Sequence, residues 1–256
     1  MRIELATAPG DQRRPNEDWA SVALPASGLG GSLVVLDGVT PPEGDDGCVH
    51  GVPWFTARLG GALLELSGSQ RDIPLTACLS EAIRRTAEAH RSTCDLNHPL
   101  TPQATVVAAR WDDARVEHLV LSDSALLIER TDGEVTPVLD DRIDRLRAAG
   151  HRLAGLRNAE GGFFTAAADP AVSAKAVTGD LPRTGVRALA ALTDGASRWV
   201  EVFGEGDWTA CFALLRKEGP QALIDRVRAA EYADPDRTAF RRGKAHDDAA
   251  VIYAEL

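Results

Sequence analysis

The sequence predicts an α+β fold, because strand-like segments come in runs and helix-like segments in pairs, without the one-by-one alternation of a βαβ protein. Its 256 residues are 44% hydrophobic and 26% charged, enough for an ordinary buried core and unlike a disordered or fibrous chain. No linker rich in proline, serine or glycine and no internal repeat divides the sequence, so residues 1–256 read as a single domain.

Strand signals open the chain at Arg2 to Ala8 and Trp19 to Leu24. Leu33 to Leu36 is an uninterrupted apolar run that stops at Asp37-Gly38, the mark of a strand covered on both faces. Two amphipathic helices are predicted next. Pro53 suits a first helical turn, followed by Phe55, Leu59, Ala62, Leu63 and Leu66 at helical spacing; Leu75, Leu79, Ala82, Ile83 and Thr86 repeat the pattern. From Ala104 to Val138 short strands return at Ala104 to Ala109, Val116 to Leu121 and Ala125 to Ile128, with Asp132-Gly133 turning before Val135, and they read as an antiparallel meander. Asp141 to Leu153 reads as helix, and Gly155 to Thr184 has no clear pattern. A strand at Arg187 to Leu192, helices at Asp207 to Lys217 and Pro220 to Ala233, and a strand at Ala249 to Ala254 complete the order.

Lysine and arginine number 28 against 38 aspartates and glutamates, a net charge of −10. That balance argues against a protein built to grip nucleic-acid phosphates or anionic lipid. Apolar stretches such as Leu33 to Leu36 fall far short of the roughly 20 residues of a membrane helix. The start, Met1-Arg2-Ile3-Glu4-Leu5, has no basic-then-apolar signal pattern, so a cytoplasmic location is expected. Cys48, Cys78, Cys94 and Cys211 form no Cys-x-x-Cys pair, which disfavours a zinc ribbon or redox motif and leaves them as plain thiols.

Three segments share one design. Apolar strands run into Asp37-Gly38 and Thr193-Asp194-Gly195, and Asp247-Asp248 leads into Ala249 to Tyr253. Any one Asp-Gly could close a hairpin. Several carboxylates held at strand rims would repel unless a cation sat among them, and hard Mg²⁺ or Mn²⁺ suit such oxygen ligands.

These segments belong to a longer ordered set: Arg13-x-x-Asn16-Glu17-Asp18, Val35-Leu36-Asp37-Gly38, Ala104-Thr105-Val106-Val107, Leu121-Ser122-Asp123-Ser124, Leu192-Thr193-Asp194-Gly195 and Asp247-Asp248-Ala249-Ala250. In order and spacing the set resembles the metal-dependent type-2C protein phosphatase family in its bacterial form. The resemblance implies a four-layer αββα sandwich of two antiparallel sheets flanked by helix pairs, with two metal ions at one end. It implies that Asp37 bridges the ions, that Asp194 and Asp247 complete one of them, and that Glu17 and the Gly38 carbonyl hold the other. Asp18 would hydrogen-bond water at the metals, Arg13 would take the substrate phosphate, and Asp123 with Asp194 would form a third metal position.

The chain departs from the family at three places. Val39 to Trp54 is a glycine- and proline-rich loop where a Met-Gly-Gly-His segment is usual, and within it His50 is a candidate general acid, since imidazole titrates near neutrality. Ser122 stands where glycine is usual, and Asp248 where asparagine is usual. No Cys-x5-Arg or Gly-x-Ser-x-Gly nucleophile motif occurs. The function expected is therefore Mg²⁺/Mn²⁺-dependent phosphomonoester hydrolysis, most naturally of phosphoserine or phosphothreonine in proteins, by a monomer. Alternatives are a phosphatase-like binding or regulatory domain and a phosphatase of a small phosphorylated metabolite.

Overall fold

The computed structural model describes all 256 residues. Its first half contains strands β1 (Arg2–Ala8), β2 (Trp19–Ala23) and β3 (Gly31–Leu36), helices α1 (Val52–Ser69) and α2 (Leu75–His90), then β4 (Val106–Trp111), β5 (Arg115–Leu121), β6 (Ala125–Arg130) and β7 (Val135–Val138). After α3 (Arg142–Ala148) come β8 (Val177–Pro182), β9 (Val186–Leu192), α4 (Asp194–Glu201), α5 (Trp208–Glu218), α6 (Pro220–Ala233) and β10 (Ala249–Glu255). The strands form two five-stranded antiparallel sheets, in the orders β1-β10-β9-β6-β7 and β2-β3-β4-β5-β8. No helix is long and apolar enough to cross a membrane.

The apolar run of β3 is covered on both faces as its pattern predicts. Leu33 and Val35 point inward and pack with Leu126 and Ile252 of the other sheet, while Val34 and Leu36 point outward against Phe55 and Leu59 of α1. β10 divides in the same way: Ala250, Ile252 and Ala254 face the sheet that contains β3, and Val251 and Tyr253 pack with Phe212, Leu223 and Val227 of α5 and α6. Three apolar interfaces thus separate four layers, the αββα arrangement.

The predicted meander between Ala104 and Val138 is two hairpins in different sheets. β4 pairs with β5 in one sheet and β6 with β7 in the other, so the chain changes sheets at Ser122-Asp123-Ser124. A short polar break between apolar strands looks the same whether it closes a hairpin or turns a corner, and only packing distinguishes the two. Ser122 adopts φ 71°, a left-handed conformation that favours glycine over a residue with a side chain; its N–H donates to buried Asp140 at 2.9 Å.

Three further differences have local causes. The helix predicted to Leu153 stops at Ala148, beside Gly150 with φ 77°. β8 lies in the region without a clear pattern: Val-Thr-Gly-Asp-Leu-Pro has little strand propensity and is held by pairing with β5 from Pro182↔Arg115 to Val177↔Val120. α4 is a helix where the sequence suggested only a turn at Asp194-Gly195.

Candidate metal and phosphate site

Antiparallel register gathers the acidic residues at one end of the sandwich. Trp19 pairs with Leu36, which places Asp18 beside Asp37. Val251 pairs with Leu192, and Thr193 and Ala250 exchange further bonds at 2.8 and 3.0 Å, which brings Asp247 to Asp194. Ala125 also pairs with Leu192, so Asp123 arrives from the corner between the sheets. The result is a cleft of about 690 Å³ lined by Asp37, Gly38, Asp123, Asp194 and Asp247, with Arg147, Arg157, Arg198 and Lys244 on its walls.

Short contacts orient these groups. The Asp194 N–H, at the start of α4, donates to Asp37 Oδ2 at 3.2 Å, placing a carboxylate at a helix N-terminus where the partial charge is positive. Asp37 N–H donates to Thr105 Oγ1 at 3.3 Å, and Thr105 shares a 2.6 Å hydrogen bond with buried Ser124. The Thr40 hydroxyl, from the atypical loop, donates to Glu17 Oε2. Gly38 is required by close approach: a Cβ there would lie 2.4 Å from the Glu17 carbonyl oxygen and 2.5 Å from Val52 Cγ1. Gly195 is equally constrained, since a Cβ would meet the Asp248 carbonyl oxygen at 1.9 Å.

Electrostatics mark the cluster as short of positive charge. Burial, then the charges of Asp194, Asp18 and Asp247, holds Asp37 well above the usual carboxylate range. Asp18 is raised likewise, first by burial and then by Asp194, and its Oδ2 is sealed from solvent with no hydrogen-bond partner. Asp194 is pushed up to about 6 by burial and by Asp247 and Asp123; burial also raises Asp123 and Glu17. An all-oxygen donor set of this kind, with an orphaned buried carboxylate oxygen, fits hard divalent cations.

The chain's own cations serve Asp247. Arg198 Nη2 donates to its Oδ2 and Lys244 Nζ to its Oδ1, both at 2.6 Å, while Arg198 Nη1 binds the fully buried Glu231 at 2.6 Å. Glu231 also accepts from Arg228 at 2.7 Å and contacts His246 Nδ1 at 3.1 Å. Sequence reasoning missed Arg198, Lys244 and Thr40. Arg198 had a usable signal, because Asp194-x-x-x-Arg198 shares one helical face once α4 is recognised.

Two predicted site residues stand elsewhere. Arg13 is 88% exposed in its side chain and forms a two-point pair with Asp11, at 3.1 Å from Nε and 3.0 Å from Nη2, so its fork is occupied outside the cleft. His50 is absent from the cleft wall: the loop after Thr40 carries it to the end of α2, where it stacks on Trp54 with centroids 4.2 Å apart. That placement removes the reason for reading it as a general acid, which needs reach to the leaving oxygen.

Asp248 is a clamp between segments. Its Oδ1 accepts the Gly10 N–H at 2.7 Å and its Oδ2 the Glu17 N–H at 2.6 Å, tying the turn after β1 and the approach to β2 onto β10. Replacing it with alanine strands two amide donors, and at about 1–3 kcal/mol for each unsatisfied group, towards the lower end because both sites are only part-buried, the Asp248→Ala protein is expected to lose roughly 2–4 kcal/mol in urea unfolding. Asp248→Asn retains one acceptor and should lose about half as much. An unchanged midpoint for Asp248→Ala would refute the clamp.

No family model and no curated protein matches the sequence. Solved structures do. Serine/threonine phosphatase Stp1 from Staphylococcus aureus superposes with TM-score 0.65 at 14% identity, over 99% of this chain and 94% of that one. The Mycobacterium tuberculosis serine/threonine phosphatase PstP/Ppp gives 0.64 at 19% identity, over 100% and 98%. The catalytic domain of PstP in complex with two manganese ions gives 0.60 at 18% identity, over 99% and 97%. The fold of this chain is that of the bacterial serine/threonine phosphatases.

Proposed function

We propose that this protein is a Mg²⁺- or Mn²⁺-dependent phosphomonoester hydrolase acting on phosphoserine or phosphothreonine in proteins. The observation that carries the reading is the convergence of Asp18, Asp37, Asp123, Asp194 and Asp247 from separate strands at one end of the sandwich, with several of them held protonation-prone by burial and mutual repulsion. The manganese-bound phosphatase domain of the same fold supports it.

Asp37, Asp194, Asp247, Glu17 and the Gly38 carbonyl are the groups that would hold two cations, with Asp123 available to a third. Two bound cations supply water activation at neutral pH and neutralise charge on the phosphoryl oxygens. Asp194 N–H and Thr105 fix the Asp37 carboxylate and its backbone in place. Asp18, held beside Asp37 by the pairing of Trp19 with Leu36, would orient the attacking water through its carboxylate. For the phosphate itself the role considered for Arg13 passes to Arg157, which lines the cleft with its guanidinium 5.5 Å from the Phe163 ring centroid. A planar fork matches phosphate with paired hydrogen bonds.

A second reading, a phosphatase-like binding domain without turnover, is favoured by one observation: both oxygens of Asp247 are already taken by Arg198 and Lys244. Hydrolysis of an aryl phosphate and of a phosphothreonine peptide, with Mn²⁺ and with Mn²⁺ omitted, separates the two. Turnover that requires added metal is expected. In Lys244→Met, which takes the ammonium off Asp247 Oδ1 and removes a competing charge, half-maximal activity should come at about three- to ten-fold lower Mn²⁺. No turnover of either substrate at saturating metal would favour the binding domain.

A further inference from the structure

Away from the carboxylate cleft, four side chains from two parts of the chain meet. Cys48 and His50 lie in the loop before α1, and His90 and Cys94 at and beyond the C-terminal end of α2. One donor atom from each lies within 4.8 Å of all the others. Cys48 Sγ is 3.1 Å from Cys94 Sγ, Cys94 Sγ is 3.3 Å from His50 Nδ1, and Cys48 Sγ is 3.6 and 3.7 Å from His90 and His50 Nδ1. Zinc bonds of roughly 2.0–2.3 Å in a tetrahedron require ligand-to-ligand edges of about 3.3–3.8 Å, close to this set. The two imidazoles lie edge to face, with centroids 5.8 Å apart and planes at 72°, so both rings can present Nδ1 to one point.

We propose that Cys48, His50, His90 and Cys94 form a structural Zn²⁺ site. Two thiolates and two imidazoles make a borderline-soft donor set, suited to zinc and unlike the carboxylates that suit Mg²⁺ or Mn²⁺ in the cleft. On binding, the two thiol protons leave to solvent as two zinc–sulfur bonds form, and the neutral imidazoles complete a closed shell with no open position for catalysis. The surrounding chain is arranged to hold the ligands. Asp95 N–H donates to the Gly47 carbonyl at 2.8 Å, Cys94 N–H to the His90 carbonyl at 3.0 Å, and Cys48 N–H to Asp46 Oδ1 at 2.9 Å. Trp54 covers one side, its ring centroid 4.2 Å from that of His50 and 5.1 Å from that of His90.

The reading of the cysteines as plain thiols came from the absence of a Cys-x-x-Cys pair. The pairs here are mixed, Cys-x-His and His-x-x-x-Cys, and they are brought together only by the packing of α1 on α2. An ion there would pin the loop that supplies Thr40 and Pro42 to the cleft, and so fix one wall of the site without taking part in its chemistry.

The test uses the full chain purified without chelator and dialysed against Mg²⁺ buffer. Elemental analysis should find about one zinc per chain. After acid stripping and reconstitution with Co²⁺, the intense visible bands of tetrahedral cobalt and a near-ultraviolet thiolate charge-transfer band should appear. Both should be lost in Cys94→Ser and His90→Gln and kept in Cys78→Ala. Because the ligand variants could misfold, the wild-type chain supplies a second measurement. Cys78 and Cys211 are buried, so thiol reagent should reach Cys48 and Cys94 alone, and added Zn²⁺ should protect both. The proposal is overturned if stripped wild-type chain gains no thiol protection from Zn²⁺, if its mass shows Cys48 and Cys94 oxidised to a disulfide as the resting state, or if a folded Cys94→Ser variant retains the cobalt bands.

Discussion

Asp37→Asn is expected to lower metal-dependent turnover by on the order of 10³-fold or more, the largest effect of any single substitution. The carboxylate lies at the centre of the acidic cluster, and the loss of about 4 kcal/mol of transition-state charge stabilisation corresponds to that factor. The same change should raise the melting temperature of the metal-free protein, because Asp37 is held well above the carboxylate range by burial and by Asp194 and Asp18, and its charge is a liability without a cation. An amide can still accept the Asp194 N–H through its own oxygen, so the local fold survives. Lost activity together with gained metal-free stability is a signature that simple unfolding cannot produce. Wild-type rates in Asp37→Asn would exclude the carboxylate cluster from the chemistry.

The second large effect is the pH dependence of stability in protein free of Mg²⁺ and Mn²⁺, with the cysteine–histidine site left loaded. Burial and neighbouring carboxylates raise Asp194 to about 6, burial raises Glu201 to about 7, and Asp18 and Asp37 are raised well above their ordinary value. A carboxyl whose folded pKa exceeds its unfolded one stabilises the fold fully below the unfolded value, and that contribution is lost as pH rises through the folded value. Asp11, Glu81 and Asp234 are lowered to about 2, Asp11 and Glu81 chiefly by hydrogen bonds from neighbouring arginines and Asp234 by hydrogen bonds that outweigh its burial. Their contribution is present above the unfolded value and disappears as pH falls towards 2. Metal-free protein should therefore be most stable between about pH 4 and 6 and lose melting temperature from there to about pH 8. Mn²⁺ should abolish the alkaline fall by favouring the ionised carboxylates. Thermal unfolding across that range, with and without Mn²⁺, checks both limbs. A metal-free melting temperature that is level from pH 5.5 to 8, a window of about 2.5 units, would contradict the clustering of raised carboxyls.

Several elements were legible because their cause is local. The apolar run Leu33 to Leu36 needs cover on both faces in any fold that buries it, and the structure supplies α1 on one side and the second sheet on the other. The helices beginning near Pro53 and Pro220 carry their own start signals. β8 and α4 were not legible. The first is an edge strand with Gly179 and Asp180 in its middle, formed because β5 offers an unpaired edge. The second has eight residues and starts at an Asp-Gly that reads equally well as a turn.

Sequence alone determined the α+β class and the identity of the acidic residues at strand ends, since composition and short-range periodicity are properties of the chain itself. Tertiary structure decided which of those residues meet. Asp37, Asp123, Asp194 and Asp247 converge because strand register is set by packing of side chains far apart in sequence. The same packing left Arg13 on the surface with Asp11, turned Asp248 into a clamp for two amides, and drew Cys48 and His50 to His90 and Cys94 across a helix pair. Contacts of this kind depend on where two distant segments come to rest, and that is fixed by the burial of whole faces, which no spacing of a few residues records.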